Sequence, residues 1–220
     1  MNALALIPAY NEAAHIAAVV AGAAAHLPVL VVDDGSADDT VRLAEKAGAT
    51  VVRHVANRGK GTALVTGFGW ALERGSGAVV TLDADGQHDP AEIPAFLDAF
   101  ERGAGDLIIG RRRFDQMPRA RQWANATGSR LLSWAVGQRI YDNQSGYRLV
   151  SRRALETFRF TTTGFDLEVE MIAQAARAGL RIGWVPIRTI YAGEQSHINP
   201  LADTARFLRV VWRARRTARG

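Results

Sequence analysis

Short runs of β-branched and aliphatic residues recur through the first half of the chain, at residues 4–7, 29–32, 50–52, 79–82 and 107–109, with alanine-rich stretches between them. Runs that are apolar at every position, rather than at alternate ones, mark strands covered on both faces. The stretches between them have helical spacing, which predicts helices over residues 11–27, 38–47, 62–74 and 90–102. The second is capped by Ser36 or Asp38 and ended by Gly48. Strand and helix alternating at this pitch predict an α/β fold, a mostly parallel sheet covered by helices on both faces, with right-handed crossovers. The second half predicts a helix over residues 117–137, a strand over 144–150, a helix over 165–178 and a strand over 181–188. Neither a repeat nor a linker interrupts the pattern, so one continuous domain is expected.

Composition excludes several chemistries. The 220 residues contain no cysteine, which removes disulfides, thiolate catalysis and zinc-thiolate sites. Net charge is +5 and almost all the excess is arginine, since Lys46 and Lys60 are the only lysines. Arginines gather in residues 111–121 and 206–219, a distribution suited to phosphorylated ligands or an anionic surface. The first residues lack the basic and apolar regions of a signal peptide, so the domain is expected to begin at once. Nothing approaches the roughly 18 consecutive apolar residues that span a bilayer. The expected location is cytoplasmic, with any membrane role played at the surface.

Ligands on open α/β sheets bind outside the carboxyl ends of the strands. Three motifs fall there: Pro8-Ala9-Tyr10-Asn11-Glu12, Asp33-Asp34-Gly35-Ser36, and the octapeptide Asp83-Ala84-Asp85-Gly86-Gln87-His88-Asp89-Pro90. In the last, two carboxylates at i and i+2 can converge on one hard cation, Mg²⁺ or Mn²⁺, whose other positions go to water and a substrate's phosphates. Asp89 and Pro90 read simply as a helix N-cap and first helical residue. A dinucleotide-binding glycine fingerprint and a P-loop are both absent. Asn57-Arg58-Gly59-Lys60-Gly61 reads equally as a phosphate cradle or as a glycine loop with a solvated lysine. His54 and His88 read as structural or exposed, and the five tryptophans mostly as packing residues.

Together the motifs resemble the family 2 glycosyltransferases of GT-A fold, which is Rossmann-like, and most closely the polyprenyl-phosphate branch typified by dolichyl-phosphate mannosyltransferases. The residues that carry the resemblance are Ile7 to Glu12, Val31 to Ser36, the octapeptide, Ile108 to Arg112, Asp142 to Arg148, Gly164 to Met171 and Val185 to Ile187, in the family's order. It implies an inverting, metal-dependent transfer of a hexosyl group from a UDP- or GDP-sugar to a polyprenyl phosphate. It also implies that Pro8, Tyr10, Glu12, Val32, Asp34, Asp83 and Ala84 bind the donor nucleotide, with Asp34 reading the base and Asp33 structural. Asp83, Asp85 and Gln87 would hold Mg²⁺ or Mn²⁺, Asp85 acting catalytically through the ion. Arg112 and Arg121, also catalytic, would clamp the acceptor phosphate together with Asn125. Arg111, Arg113 and Arg119 read as a solvated basic loop.

The chain departs from the branch where cations are expected. Asp166 replaces a lysine, and Tyr191 and His197 replace an arginine and a lysine after the final strand. Arg148 and Arg188 are then candidates for the diphosphate. Asp166, Glu168, Glu170 and His197 are candidate bases toward a hydroxyl acceptor on a lipid or glycan, the alternative reaction. A sugar-1-phosphate nucleotidyltransferase is a further alternative, but its glycine-rich signature is missing. No nucleic-acid partner is expected, since a module of that kind leaves the carboxylates unexplained.

Residues 1–200 are expected to form the catalytic domain. Residues 201–220 are expected to form a basic amphipathic helix, part of that domain or appended to it. Its Phe207, Leu208, Val211 and Trp212 share a face ringed by arginines, fit either to lie on an anionic membrane or to pack on the domain. A membrane-protein partner is the other route to a lipid acceptor.

Overall fold

A computed structural model describes residues 2–112, 119–162, 164, 166–188, 211, 212 and 215, and of residues 119–124 the backbone only. One sheet contains β1 (Ala3–Ala9), β2 (Val29–Asp33), β3 (Thr50–Arg53), β4 (Ala78–Thr81), β5 (Leu107–Arg112), β6 (Arg148–Ser151) and β7 (Ile182–Ile187). Their order is β3-β2-β1-β4-β6-β5-β7. All neighbours are parallel except β6, which runs antiparallel to both β4 and β5. The chain order reverses between β2-β1 and β1-β4, which opens a crevice at the carboxyl ends of these strands. Because β6 runs backwards, with Arg148 opposite Thr81, the residues that precede it arrive at the same edge.

Strand residues alternate between two cores. Leu4 and Leu6 of β1 face a core with α3 (Lys60–Glu73), α5 (Arg119–Val136), α6 (Arg152–Thr157) and α7 (Asp166–Arg177). Ala3, Ala5, Ile7 and Ala9 face α1 (Ile16–Ala24), α2 (Thr40–Lys46) and α4 (Ile93–Glu101). The sheet is therefore mostly parallel and covered on both sides, as the apolar runs required, except at the edge strand β3, whose four residues are half-buried or exposed and not buried as expected.

Local chemistry explains where elements begin. The helix expected from residue 11 starts at Ile16, because Asn11 takes a positive φ of 55° and its amide joins the neighbouring loop instead. That amide carbonyl accepts from the Ala37 N–H, and the Ser36 hydroxyl accepts from the Asn11 N–H. The helix expected over 90–102 divides into a 3₁₀ turn, Pro90–Glu92, and α4, since Pro94 brings no N–H to continue a single ladder. Asp89 does cap that turn, accepting from the Ala91 N–H. The strand expected over 144–150 is shorter and later, and α6 follows it unforeseen, its start capped by Ser151. Among the described residues, no helix is long and apolar enough to cross a membrane.

Two glycines on α3 test this packing. A Cβ at Gly67 would overlap the buried side chain of Leu6, whereas one at Gly69 meets nothing within 4 Å. Gly69→Ala should raise stability by about 0.5–1 kcal/mol through helix propensity. Gly67→Ala should lower it by about 1–3 kcal/mol through overpacking. Urea denaturation of the two variants gives opposite signs if α3 lies against β1 as described.

Candidate active site

The loops after β1, β2, β3 and β4, the end of β5, the loop before β6 and the start of α7 meet at one edge. The first two are laced together: Glu12 N–H donates to Thr40 Oγ1 and Ala13 N–H to Asp38 Oδ2. In the octapeptide, Gly86 takes a positive φ of 76° that lets the chain turn back. Asp85 Oδ1 accepts from the Gln87 N–H, and His88 Nδ1 accepts from the Asp83 N–H at 3.0 Å.

The Asp83 side chain meets Lys60. The ammonium lies 2.6 Å from Asp83 Oδ1 and 2.9 Å from Glu168 Oε1. Lys60 is thus held between two carboxylates and is not the solvated residue that one reading of its loop expected. Burial alone would lower the ammonium's pKa, but the two carboxylates outweigh it and raise it. Burial would raise Asp83, yet Lys60 above all, with His88 and Arg112, draws it down to about 2. Asp85 moves the other way, pushed up by burial and then by the charge of Asp83.

Two carboxylates that disfavour each other's charge are suited to a cation. Among the described residues, no group of three or more His, Asp or Glu side chains is gathered for a metal ion. Asp83 and Asp85 thus offer a cation two carboxylates from one turn, with Gln87 two residues further along the same loop.

Several expected site residues have other work in the structure. Arg148 is fully buried and donates to the carbonyls of Ser145, Glu168 and Asn143, so it is no diphosphate contact. Glu170 is no base: its oxygens accept from the N–H and hydroxyl groups of both Thr161 and Thr162. Arg112 turns its fork onto buried Asp142 at 2.7 and 2.9 Å rather than holding it open for a phosphate. Asp34 is buried, with its oxygens on His54 and on the N–H groups of Arg58 and Gly59, where it fastens the loop leading to Lys60. Asp33 accepts from the Ser36 N–H, as a structural turn residue should, but its Oδ1 is buried without a hydrogen-bond partner among the described residues.

Pro8, Val32 and Ala84 have buried side chains, and Pro8 and Val32 lie opposite each other in the β1–β2 pair. Tyr10 is exposed beside them, and Glu12 and Asp166 are half-buried. Asn125 is buried on α5. The Arg121 side chain, Tyr191 and His197 lie outside the described residues. Arg188 donates its N–H to Glu92.

His54 and His88 are buried and bonded, as the structural reading expected. The tryptophans are more divided than expected, for Trp134 and Trp212 are 57% and 60% exposed. Glu168 was legible only as one acid among three, and its partner Lys60 only as half of an ambiguous loop. Their pairing across the fold had no sequence signal.

A doubly covered sheet with an acidic loop at its switch point defines an α/β enzyme of the nucleotide-handling kind. The chain belongs to glycosyl transferase family 2, whose model matches residues 5–159, and it is a glycosyltransferase. It is 34% identical to an undecaprenyl-phosphate mannosyltransferase of Micrococcus luteus, over 85% of this chain and 83% of that one. It is 32% identical to a polyprenol monophosphomannose synthase of Mycolicibacterium smegmatis, over 84% of this chain and 76% of that one. Among solved structures, glucosyl-3-phosphoglycerate synthase of Mycobacterium tuberculosis with Mn²⁺, UDP-glucose and phosphoglyceric acid superposes with a TM-score of 0.74. At 23% identity, covering 97% of this chain and 78% of that one, it shows the shared fold.

Glu170 separates a loop clamp from a base. Glu170→Gln puts an amide where five donors converge, the Gln174 amide being the fifth, and should lower stability by about 1–3 kcal/mol while folded enzyme keeps its turnover. Thermal melts together with kcat per folded molecule check this, and a collapse of kcat at unchanged stability would restore the base.

Proposed function

We propose that the enzyme transfers a hexosyl group from a UDP- or GDP-sugar to a polyprenyl phosphate, with inversion at the sugar. A phosphate oxygen of the acceptor forms the new bond to C1 as the bond from C1 to the donor's diphosphate breaks, and the nucleoside diphosphate leaves. The observation that carries this reading is the Asp83–Asp85 pair at the switch point, flanked by Lys60 and Arg112. Support comes from relatives whose names specify polyprenyl phosphate acceptors.

Asp83, Asp85 and Gln87 would hold Mg²⁺ or Mn²⁺, which supplies electrostatic stabilisation of the leaving diphosphate. The Pro8–Glu12 and Val32–Asp34 segments flank the crevice where the nucleoside would lie. Arg112, fixed by Asp142, contributes a positioned positive charge near Asp83. A phosphate monoester is largely dianionic at neutral pH, so no general base is required. The engagement of Glu168 and Glu170 agrees with that, and it leaves Asp166 as the described acid open to the hydroxyl-acceptor alternative.

Asp85→Asn should abolish the gain in nucleoside diphosphate affinity that a divalent ion gives, and with it transfer, while the thermal melt stays as in wild type. Calorimetry with UDP and GDP, with and without Mn²⁺, measures the first effect. A screen of UDP- and GDP-sugars against a short polyprenyl phosphate measures the second and identifies the donor. Metal dependence that survives in the variant rules out this ligand set.

The acceptor's tail places the enzyme at a membrane, and we propose peripheral attachment at the cytoplasmic, anionic face. A cleft of about 650 Å³ beside the Arg112–Asp142 pair is lined by Arg111, Arg130, Arg139, Trp134 and Tyr141. Arg111 and Arg139 flank the Tyr141 ring at 4.5 and 4.8 Å, and Arg215 lies 4.6 Å over Trp134. Arginines and amphipathic rings together suit a headgroup layer. Of the expected C-terminal apolar face, Val211 is packed in the core and Trp212 is exposed, so the two do not share one environment.

The protein should float with anionic liposomes at low salt and be released at high salt. Replacing Arg111, Arg130 and Arg139 together by Ser should cut the bound fraction severalfold. If the wild type stays with the soluble fraction, a membrane-protein partner must supply the contact.

A further inference from the structure

Lys60 stands where a cation is poorly placed. It is the first residue of α3, at the helix end whose backbone dipoles carry positive charge, and its side chain is mostly buried. What holds it is Asp83 at 2.6 Å and Glu168 at 2.9 Å. The pair is closely confined: a Cβ at Gly146 would lie 2.9 Å from both Asp83 oxygens and 3.0 Å from the ammonium. Asp83 is also one of the two carboxylates assigned to the divalent ion.

From this geometry we infer that Lys60 is a resident counter-cation that makes divalent-ion binding at Asp83 and Asp85 conditional on a nucleoside diphosphate. The inference rests on the reading of these aspartates as metal ligands. An ammonium against Asp83 Oδ1 takes one of the two oxygens that an ion could use and stands beside the other. Two cations cannot share that carboxylate closely without strong repulsion, because the site is partly shielded from water. A free ion must therefore displace Lys60 or bind against its charge. A diphosphate brings enough negative charge for both cations, so ion and nucleotide enter together. The empty enzyme stays locally balanced and the acidic loop keeps its shape.

Free Mn²⁺ can be followed by its electron paramagnetic resonance signal during titration of the purified chain, alone and with saturating UDP or GDP. The informative variant is Lys60→Met with Glu168→Gln. It removes one positive and one negative charge, so local net charge stays as in wild type while Asp83 is released. Circular dichroism confirms that it folds, and the paired change avoids leaving Glu168 buried and unpaired.

The double variant should bind Mn²⁺ without nucleotide at least tenfold more tightly than wild type. The gain in Mn²⁺ affinity that nucleotide gives should shrink correspondingly. Wild-type affinity in the folded double variant overturns the role of Lys60. Asp85→Asn, titrated with nucleotide, tests the underlying reading separately. If it loses Mn²⁺ while the double variant behaves as wild type, the metal site stands and the Lys60 inference falls; if it keeps Mn²⁺, both fall.

Discussion

A guanidinium with no access to water organises the active edge. Arg148 opens β6, and its donors reach the carbonyls of Ser145, Asn143 and Glu168. Burial lowers its pKa, but an arginine remains charged, so those carbonyls are needed to satisfy it. Through them the loop before β6 is tied to the first turn of α7. That turn carries Glu168, which holds Lys60, and the same loop carries Asp142, which holds Arg112. Arg148 thereby adds to the bonds that Gly146 and Tyr147 already make to Thr81, Asp89 and Gly110.

The site is built from charges that constrain one another. Lys60, His88 and Arg112 favour ionised Asp83, while ionised Asp83 together with burial disfavours charge on Asp85. Such a pair is poised toward added positive charge. Carboxylates further out have already found their donors: Asp34 in the loop before Lys60, Asp142 in the Arg112 fork, Glu170 in the two threonines. Among the described residues of this edge, the unrelieved electrostatics are concentrated at the octapeptide.

Much of this was legible from local pattern. Apolar runs located the first five strands, because a strand covered on both faces has no polar positions. The octapeptide stood out as a candidate metal site because carboxylates at i and i+2 in a turn are near one another in almost any fold. The Asp89 cap and the Gly86 turn are likewise local. Arg148, Glu170 and Arg112 were misread for a common reason. A charged residue in a family motif looks the same in sequence whether it meets a ligand, a carboxylate or three backbone carbonyls. The break at Pro94 and the late start of α1 depend on single backbone groups, which periodicity does not register.

By itself the sequence determined the fold class, the edge of the sheet that bears the site, the candidate metal ligands and the family, since all are carried by short contiguous segments whose chemistry is local. The tertiary structure alone decided which charges face each other. Lys60 and Glu168 are far apart in the chain and meet only because α3 and α7 cover the same face of the sheet. Arg112 and Asp142 meet only because an antiparallel strand returns the chain to the carboxyl edge. Contacts of that kind are fixed by topology and by the cost of leaving a buried charge unpaired, and neither is written in the spacing of residues.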